Sequence, residues 1–258
     1  MENKKFEEVD SNGKTTAVVS VEYLWGNLFV LKHNRPSENI SKEIWMKLFI
    51  QAKEEAIKNK AGIIGIRLRT DYHIDLFQQI LAELKFNKSA GRIEYKTNVV
   101  ELPHYENQPL VWKTAEELGW DEEEIAEFTK KIIEDALDVE PEENPKDFIQ
   151  DWLNHSEFTF GRHCISIGFF KENPIALTVV QVEKKSGWSR ISYMGIIPSF
   201  RHQGFGKWVH RKGFDMIKEQ GGTLYHGGTH IDNKAMRKLF EQHGCQFFCE
   251  LEEWSFKV

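Results

Sequence analysis

Between positions 196 and 207 the chain reads Ile196-Ile197-Pro198-Ser199-Phe200-Arg201-His202-Gln203-Gly204-Phe205-Gly206-Lys207. Two glycines two apart let a backbone turn tightly and approach a ligand with no Cβ in the way. The apolar run before this stretch predicts a strand, and the pattern after it predicts a helix. Successive N–H groups at that helix start are then free to face an anion, which the helix dipole favours. Arg201 and Lys207 flank the turn and can add ionic contacts to phosphate. A pyrophosphate is the natural occupant.

Two familiar nucleotide loops do not fit. A Walker A loop needs Lys followed by Ser or Thr, and Lys207 is followed by Trp208. The dinucleotide fingerprint needs a third glycine where Val209 stands. What remains resembles the pyrophosphate loop of the GNAT superfamily of acetyl-CoA-dependent acyltransferases, Arg/Gln-x-x-Gly-x-Gly/Ala, with Arg201, Gly204 and Gly206 in its three defined places. Upstream, Met194-Gly195-Ile196-Ile197-Pro198 is similar to the family's strand end. Downstream, Asn233-Lys234-Ala235-Met236-Arg237-Lys238-Leu239-Phe240-Glu241-Gln242-His243-Gly244-Cys245 resembles its Asn-to-Gly helix, matching at Asn233, Leu239 and Gly244. The resemblance covers about residues 111–258.

The resemblance implies acetyl-CoA as co-substrate and direct transfer of its acetyl group to an amine. It places Ile196, Ile197, Arg201, His202, Gln203, Gly204, Phe205, Gly206, Lys207, Asn233, Lys238 and Phe240 at the cofactor. It also implies two middle strands that splay, the backbone of Ile196 and Ile197 pairing with the pantetheine arm. An N–H near a strand bulge at Met194–Ile196 would face the developing charge on the carbonyl oxygen. The chain departs from the family at two places. Phe240 stands where a tyrosine commonly protonates the CoA sulfur, and a glutamate base of some members would fall near Arg190. Tyr193, Tyr225 and His226 are the remaining candidate catalytic groups, with water as the alternative and core packing the competing role for each.

The elements that must hold these residues read as follows. Residues 15–34 predict two antiparallel strands turning at Gly26-Asn27. Ile44, Trp45, Leu48, Phe49, Ala52 and Ala56 recur at helical spacing. A strand over Gly62–Leu68, a helix over about Ile74–Leu84 and a strand near Arg92–Val99 follow. Leu102–Leu110, with Pro103, Asn107 and Pro109, reads as a linker. Asp121 with Glu124 predicts a capping box before the apolar face Ile125, Phe128, Ile132 and Ala136. Pro141, Asn144 and Pro145 interrupt it ahead of a shorter helix. Strands near His163–Phe170, Ile175–Val182 and Arg190–Ile197 predict an antiparallel meander, and helix, strand, helix and strand complete the chain.

The two halves rhyme. Residues 36–66 align with 198–227, and 81–86 with 240–245, in one helix–strand–helix–strand order. So long an offset indicates a duplicated domain rather than a solenoid. The expected fold is α+β: two GNAT-like domains, each a mixed, mostly antiparallel sheet flanked by helices. The first, 1–105, is a degenerate copy with Glu38–Glu43 in place of the glycine loop, and is expected to wall part of the acceptor cleft. The second, 110–258, is the acetyltransferase.

Composition bounds the rest. The net charge is −6 across 258 residues, which argues against a nucleic-acid partner. No run reaches the ~20 apolar residues of a spanning helix, so no membrane partner is expected. The charged start lacks a signal-peptide core, and three cysteines form no disulfide framework, so the expected location is cytoplasmic. His226, His230, His243, Cys245 and Cys249 match no metal-ligand spacing, and no metal is expected. Residues 111–145 hold 13 acidic and 3 basic side chains, either a solvated face or a surface that attracts a cationic acceptor. The expected function is N-acetylation of a primary amine on a small cationic substrate. A non-catalytic acyl-CoA sensor or interaction protein and a protein or peptide N-acetyltransferase stay open, as does a homodimer.

Overall fold

The computed structural model describes residues 3–23, 27–35, 39–72, 74–102, 108–136, 145–154 and 158–258. Gly26, Pro103, Asn107, Pro141 and Asn144, singled out above as breakers, lie outside them. Contacts divide the chain into two compact units, Met1–Ile93 with Cys249–Val258, and Glu94–Phe248. The boundary expected between 105 and 110 therefore lies inside the second unit.

In the first unit β1 (Lys4–Val9), β2 (Thr15–Tyr23) and β3 (Leu28–His33) form an antiparallel meander. Strand β1 has too few apolar residues to announce itself in sequence; its ladder to β2 holds it. Helix α1 (Lys42–Lys58) buries Trp45, Leu48, Phe49, Ala52 and Ala56, a stripe at helical spacing. Strand β4 (Ile63–Arg69) runs parallel to β3, and α2 (Asp75–Glu83) packs Phe77, Ile80 and Leu81 into the same core. The Phe77 ring lies 4.7 Å from Trp45 and 5.2 Å from Phe49, both edge-on, the favoured aromatic geometry. Strand β5 (Asn87–Asn98) leads into the second unit.

That unit opens with β6 (Val111–Thr114), where the sequence shows only two apolar residues. Helix α3 (Glu122–Ile133) starts on the expected capping box: Glu124 N–H donates to Asp121 Oδ1, and Asp121 N–H to Glu124 Oε2, both at 2.9 Å. It ends before Ala136. Helix α4 (Pro145–Asn154), β7 (Ile165–Phe170), β8 (Asn173–Val182) and β9 (Trp188–Ile196) follow, and β6 to β9 pair antiparallel in sequence order. Then come α5 (Gly206–Glu219), β10 (Leu224–His230), α6 (Lys234–Gln242) and β11 (Gln246–Lys257). Helices cover both faces of this sheet. Ile165, Ile167, Leu177 and Val179 meet Ile125, Phe128, Ile132 and Trp152 on one face. Ile175, Ala176, Met194 and Ile196 meet Phe205 and Val209 on the other. Within the first unit, Leu251–Lys257 of β11 pair antiparallel with β4. The helix–strand–helix order α1-β4-α2 recurs as α5-β10-α6, as the internal repeat indicates.

A histidine pair, His210 buried and His243 half-buried, joins α5 to the turn after α6. His210 Nδ1 lies 2.8 Å from His243 Nδ1, so one ring must donate and the other accept, with both neutral. Burial drives the His210 pKa well below its ordinary value, and burial with nearby Arg211 and Lys207 lowers His243 to about 4. Between pH 6.5 and about 4 the unfolded chain therefore binds more protons than the folded one. This contribution to stability is complete above 6.5 and is lost as pH falls through that window. The melting midpoint should drop over this range. His243→Gln, whose amide can still pair with His210, should flatten the drop; an unchanged slope would remove the pair as its source.

Candidate functional site

The site begins where two parallel strands part. Strands β9 and β10 pair only at Trp188↔Leu224 and Ser189↔Tyr225, although both continue, to Ile196 and His230. Beyond Ser189 the edge of β9 that faces β10 is open. Ile197 N–H donates to Ile175 O at 2.9 Å, toward β8. The two-residue alternation of a strand then aims the N–H groups of Met194 and Ile196 at the open edge. Ile197 N–H, expected beside Ile196 at the ligand, is thus engaged with β8. The bulge is displaced too. Tyr193 pairs with Val179 and Ile191 with Val180, so Ser192 is the extra residue rather than one at Met194–Ile196.

The open edge leads to the glycine loop. After a 3-10 turn, Pro198–Phe200, the backbone takes positive φ at His202 (63°) and Gly204 (81°) and enters α5 at Gly206. No side chain caps this helix. Among the described residues no protein acceptor pairs with the N–H groups of residues 202–207. A Cβ at Gly204 would meet nothing within 4 Å, while one at Gly206 would come 3.3 Å from Leu239 Cδ1. Gly204 is therefore needed for its φ and for the open space above it, and Gly206 for the approach of α6. His202, Gln203 and Lys207 are exposed; Phe205 is buried and anchors the loop.

Arg201 has a different place from the one its type suggests. Its Nε donates to Ile196 O at 3.0 Å, and Nη2 donates to Ile132 O at 3.0 Å and Glu134 O at 2.6 Å. The guanidinium thus caps the C-terminal end of α3, where a cation is favoured, and ties it to the loop. Gln203 Nε2 donates to Ser199 O, tightening the same turn. Asn233 caps α6 by accepting from Met236 N–H, and Lys238 is exposed on that helix.

The sheet face covered by α3 and α4 holds the polar candidates. Tyr193 stacks on Trp152 at 5.9 Å. Arg190 and Ser192 both donate to the buried Gln181 Oε1. His226, the first residue past the last β9–β10 pair, meets Trp188 edge-on at 6.0 Å. Its Nε2 lies 2.7 Å from Glu94 Oε2, in a close contact bent away from a straight hydrogen bond. Glu94 is absent from the sequence reading. Its alternation between buried Ile93 and Tyr95 marks it as facing the other way, but its partner is 132 positions distant.

Two candidates do not reach this face. Tyr225 is 1% exposed, packed among Phe214, His210 and Phe240, and burial raises its pKa well above the ordinary value. It is a core aromatic, not an exchangeable proton donor. Phe240 is equally buried and stacks on Tyr95 at 4.5 Å, so its side chain packs α6 rather than a ligand. Among the described residues no three or more His, Cys, Asp or Glu side chains cluster as a metal site. None of the described helices is long and apolar enough to cross a membrane.

The first unit handles the corresponding strands differently. Strands β3 and β4 stay paired from Leu28↔Ile63 to Leu31↔Ile66. Just beyond, His33 closes the gap, its Nε2 at 3.2 Å from Arg67 O and its Nδ1 at 2.9 Å from Asn34 O. Phe77 packs edge-on against the ring at 4.8 Å. Where the second unit has an open strand edge, the first has a side chain.

Comparison with known proteins identifies the family of the second half and the fold. Residues 121–245 match the acetyltransferase (GNAT) family. The chain is similar in fold to a GCN5-related N-acetyltransferase from Sphaerobacter thermophilus, at TM-score 0.74 and 11% identity over 98% of this chain and 80% of that one. It is similar to another from Kribbella flavida, at TM-score 0.63 and 12% identity over 94% and 87%. A tandem GNAT protein from the clavulanic acid biosynthesis pathway matches at TM-score 0.57 and 9% identity over 99% and 83%. No curated protein matches the chain significantly in sequence.

Proposed function

Because residues 121–245 carry a GNAT-family acetyltransferase domain, we propose that the chain transfers acetyl from acetyl-CoA to a primary amine of a small substrate by direct attack. The observation that carries this reading is the open edge of β9 running into the uncapped start of α5. Acetyl-CoA supplies the acetyl group as an activated thioester. The N–H groups of residues 202–207 receive its diphosphate, with Lys207 adding charge from the exposed side. Met194 and Ile196 offer strand-edge groups to its extended arm. Asn233 and Lys238 border the same groove from α6. The acceptor lies on the α3–α4 face, where Tyr193, Trp188 and His226 exclude water, and Tyr193 and His226 offer groups able to carry a proton. Such positioning can supply several kcal/mol of the barrier. The three cysteines are free buried thiols, consistent with a reducing cytoplasmic setting.

The acceptor is read as cationic from the acidic field of residues 111–145. Part of that charge has structural work: Glu123 pairs with Lys146, Glu122 accepts from Gln150, and Glu124 completes the capping box. Neutralising Glu122 and Glu123 should raise acceptor KM and weaken its salt dependence; no change would leave the field without a role in binding. The buried Phe240, which has no proton to give, favours one second reading, an acyl-CoA sensor. Thiol release from acetyl-CoA across a panel of amines separates the two. Amine-dependent release supports transfer, and binding with no release on any amine supports the sensor.

A further inference from the structure

Three facts bear on how a proton could move: Tyr225 is sealed in the core, Phe240 offers none, and His226 sits at the fork of the strands. We infer that Glu94 is a positioning residue that fixes His226 as a proton-transfer group, with Nε2 held by the Glu94 carboxylate and Nδ1 turned to the acceptor amine. This rests on the transferase reading above and names the part of the site that the sequence does not show.

The argument starts from which nitrogen is engaged. Nε2 is buried and lies 2.7 Å from Glu94 Oε2, outside straight hydrogen-bond geometry, which leaves Nδ1 as the nitrogen that does not face the carboxylate. A carboxylate beside one ring nitrogen holds the proton there and leaves the other bare, a lone pair able to accept. Bent contacts of this kind tighten when a substrate is bound. The ring is fixed from both sides, by Trp188 at 6.0 Å and by Phe248 edge-on at 5.0 Å, and its side chain remains 24% exposed. It is therefore held in one orientation and still reachable.

The step balances within the site. The amine nitrogen bonds to the acetyl carbon as the carbon–sulfur bond breaks. The nitrogen gives up one proton to Nδ1, and the same proton passes from Nδ1 to the departing sulfur, which keeps the bonding electron pair. One imidazole thus acts as base and then as acid, so neither the tyrosine missing at 240 nor a glutamate at 190 is required.

Long-range proton–nitrogen NMR spectra of the free protein test the arrangement without turnover. His226 should be found as the Nε2–H tautomer, and Glu94→Gln, whose amide can donate or accept, should give a mixture. Kinetically, Glu94→Gln should lower kcat about tenfold and His226→Gln at least about 100-fold, both with acetyl-CoA affinity unchanged by calorimetry. Added imidazole should restore part of the rate of His226→Gly. An Nδ1–H tautomer in the wild type, or wild-type kcat in both variants, overturns the proposal while leaving transfer intact. If the wild type binds acetyl-CoA but acetylates no amine, the transferase reading fails instead, and the spectrum still decides the Glu94–His226 pair.

Discussion

Gly204→Glu is expected to reduce affinity for coenzyme A by at least about 100-fold, about 2.8 kcal/mol at tenfold per 1.4, without unfolding the protein. The backbone at 204 has φ of 81°, and the space where a Cβ would stand is open. A side chain there meets no protein atom, so the folding cost is the left-handed conformation alone, on the order of 1 kcal/mol. The carboxylate, however, would stand beside the N–H groups that receive the diphosphate. Gly204→Ala separates the two effects: it carries the same backbone cost and no charge, and should lose far less affinity. Gly206→Glu should also abolish binding, with the added conflict against Leu239. Titration calorimetry on variants with normal circular dichroism reads both; retained affinity in Gly204→Glu and Gly206→Glu would place the diphosphate elsewhere.

The second large effect is expected at Arg201. Its guanidinium joins the end of β9, the last turn of α3 and the loop through the carbonyls of Ile196, Ile132 and Glu134. Hydrogen bonds from a charged donor contribute about 1.5–3 kcal/mol each when a partner is removed, though not additively. Arg201→Ala should therefore destabilise the second unit by about 3 kcal/mol and weaken coenzyme A binding through a loosened loop. Arg201→Lys should rescue little, because a single ammonium cannot reach carbonyls on two elements in the planar geometry of the fork. If Arg201→Ala loses cofactor affinity at unchanged stability, the side chain contacts phosphate directly and the cap assignment is wrong.

The glycine turn is legible in the sequence because positive-φ glycine chemistry is local: Gly204 stands where a strand meets a helix and takes φ of 81°. The capping box at Asp121 and the α1 stripe from Trp45 to Ala56 are legible for the same reason. Strands β1 and β6 were not, since their apolar content is too slight and only pairing with β2 and β7 identifies them. The bulge at Ser192 is a matter of register between β8 and β9, which no local pattern reports. Arg201 is legible as a residue type, but the carbonyls that hold its guanidinium belong to a helix some seventy residues earlier, which no local pattern reports. Glu94 and His226 show the limit most clearly, two ordinary strand residues brought within 2.7 Å of each other only by strand order.

The closure of β3 and β4 by His33 leads to a stoichiometry. A strand edge bridged by an imidazole, with no glycine loop in the repeat at Glu38–Glu43, offers a thioester carrier no groove. Each chain should therefore bind one equivalent.

Isothermal titration of the whole chain with acetyl-CoA tests the central claim most directly. The account predicts saturable heat with a stoichiometry of one, lost in Gly204→Glu. Absence of heat with both acetyl-CoA and free coenzyme A would contradict it.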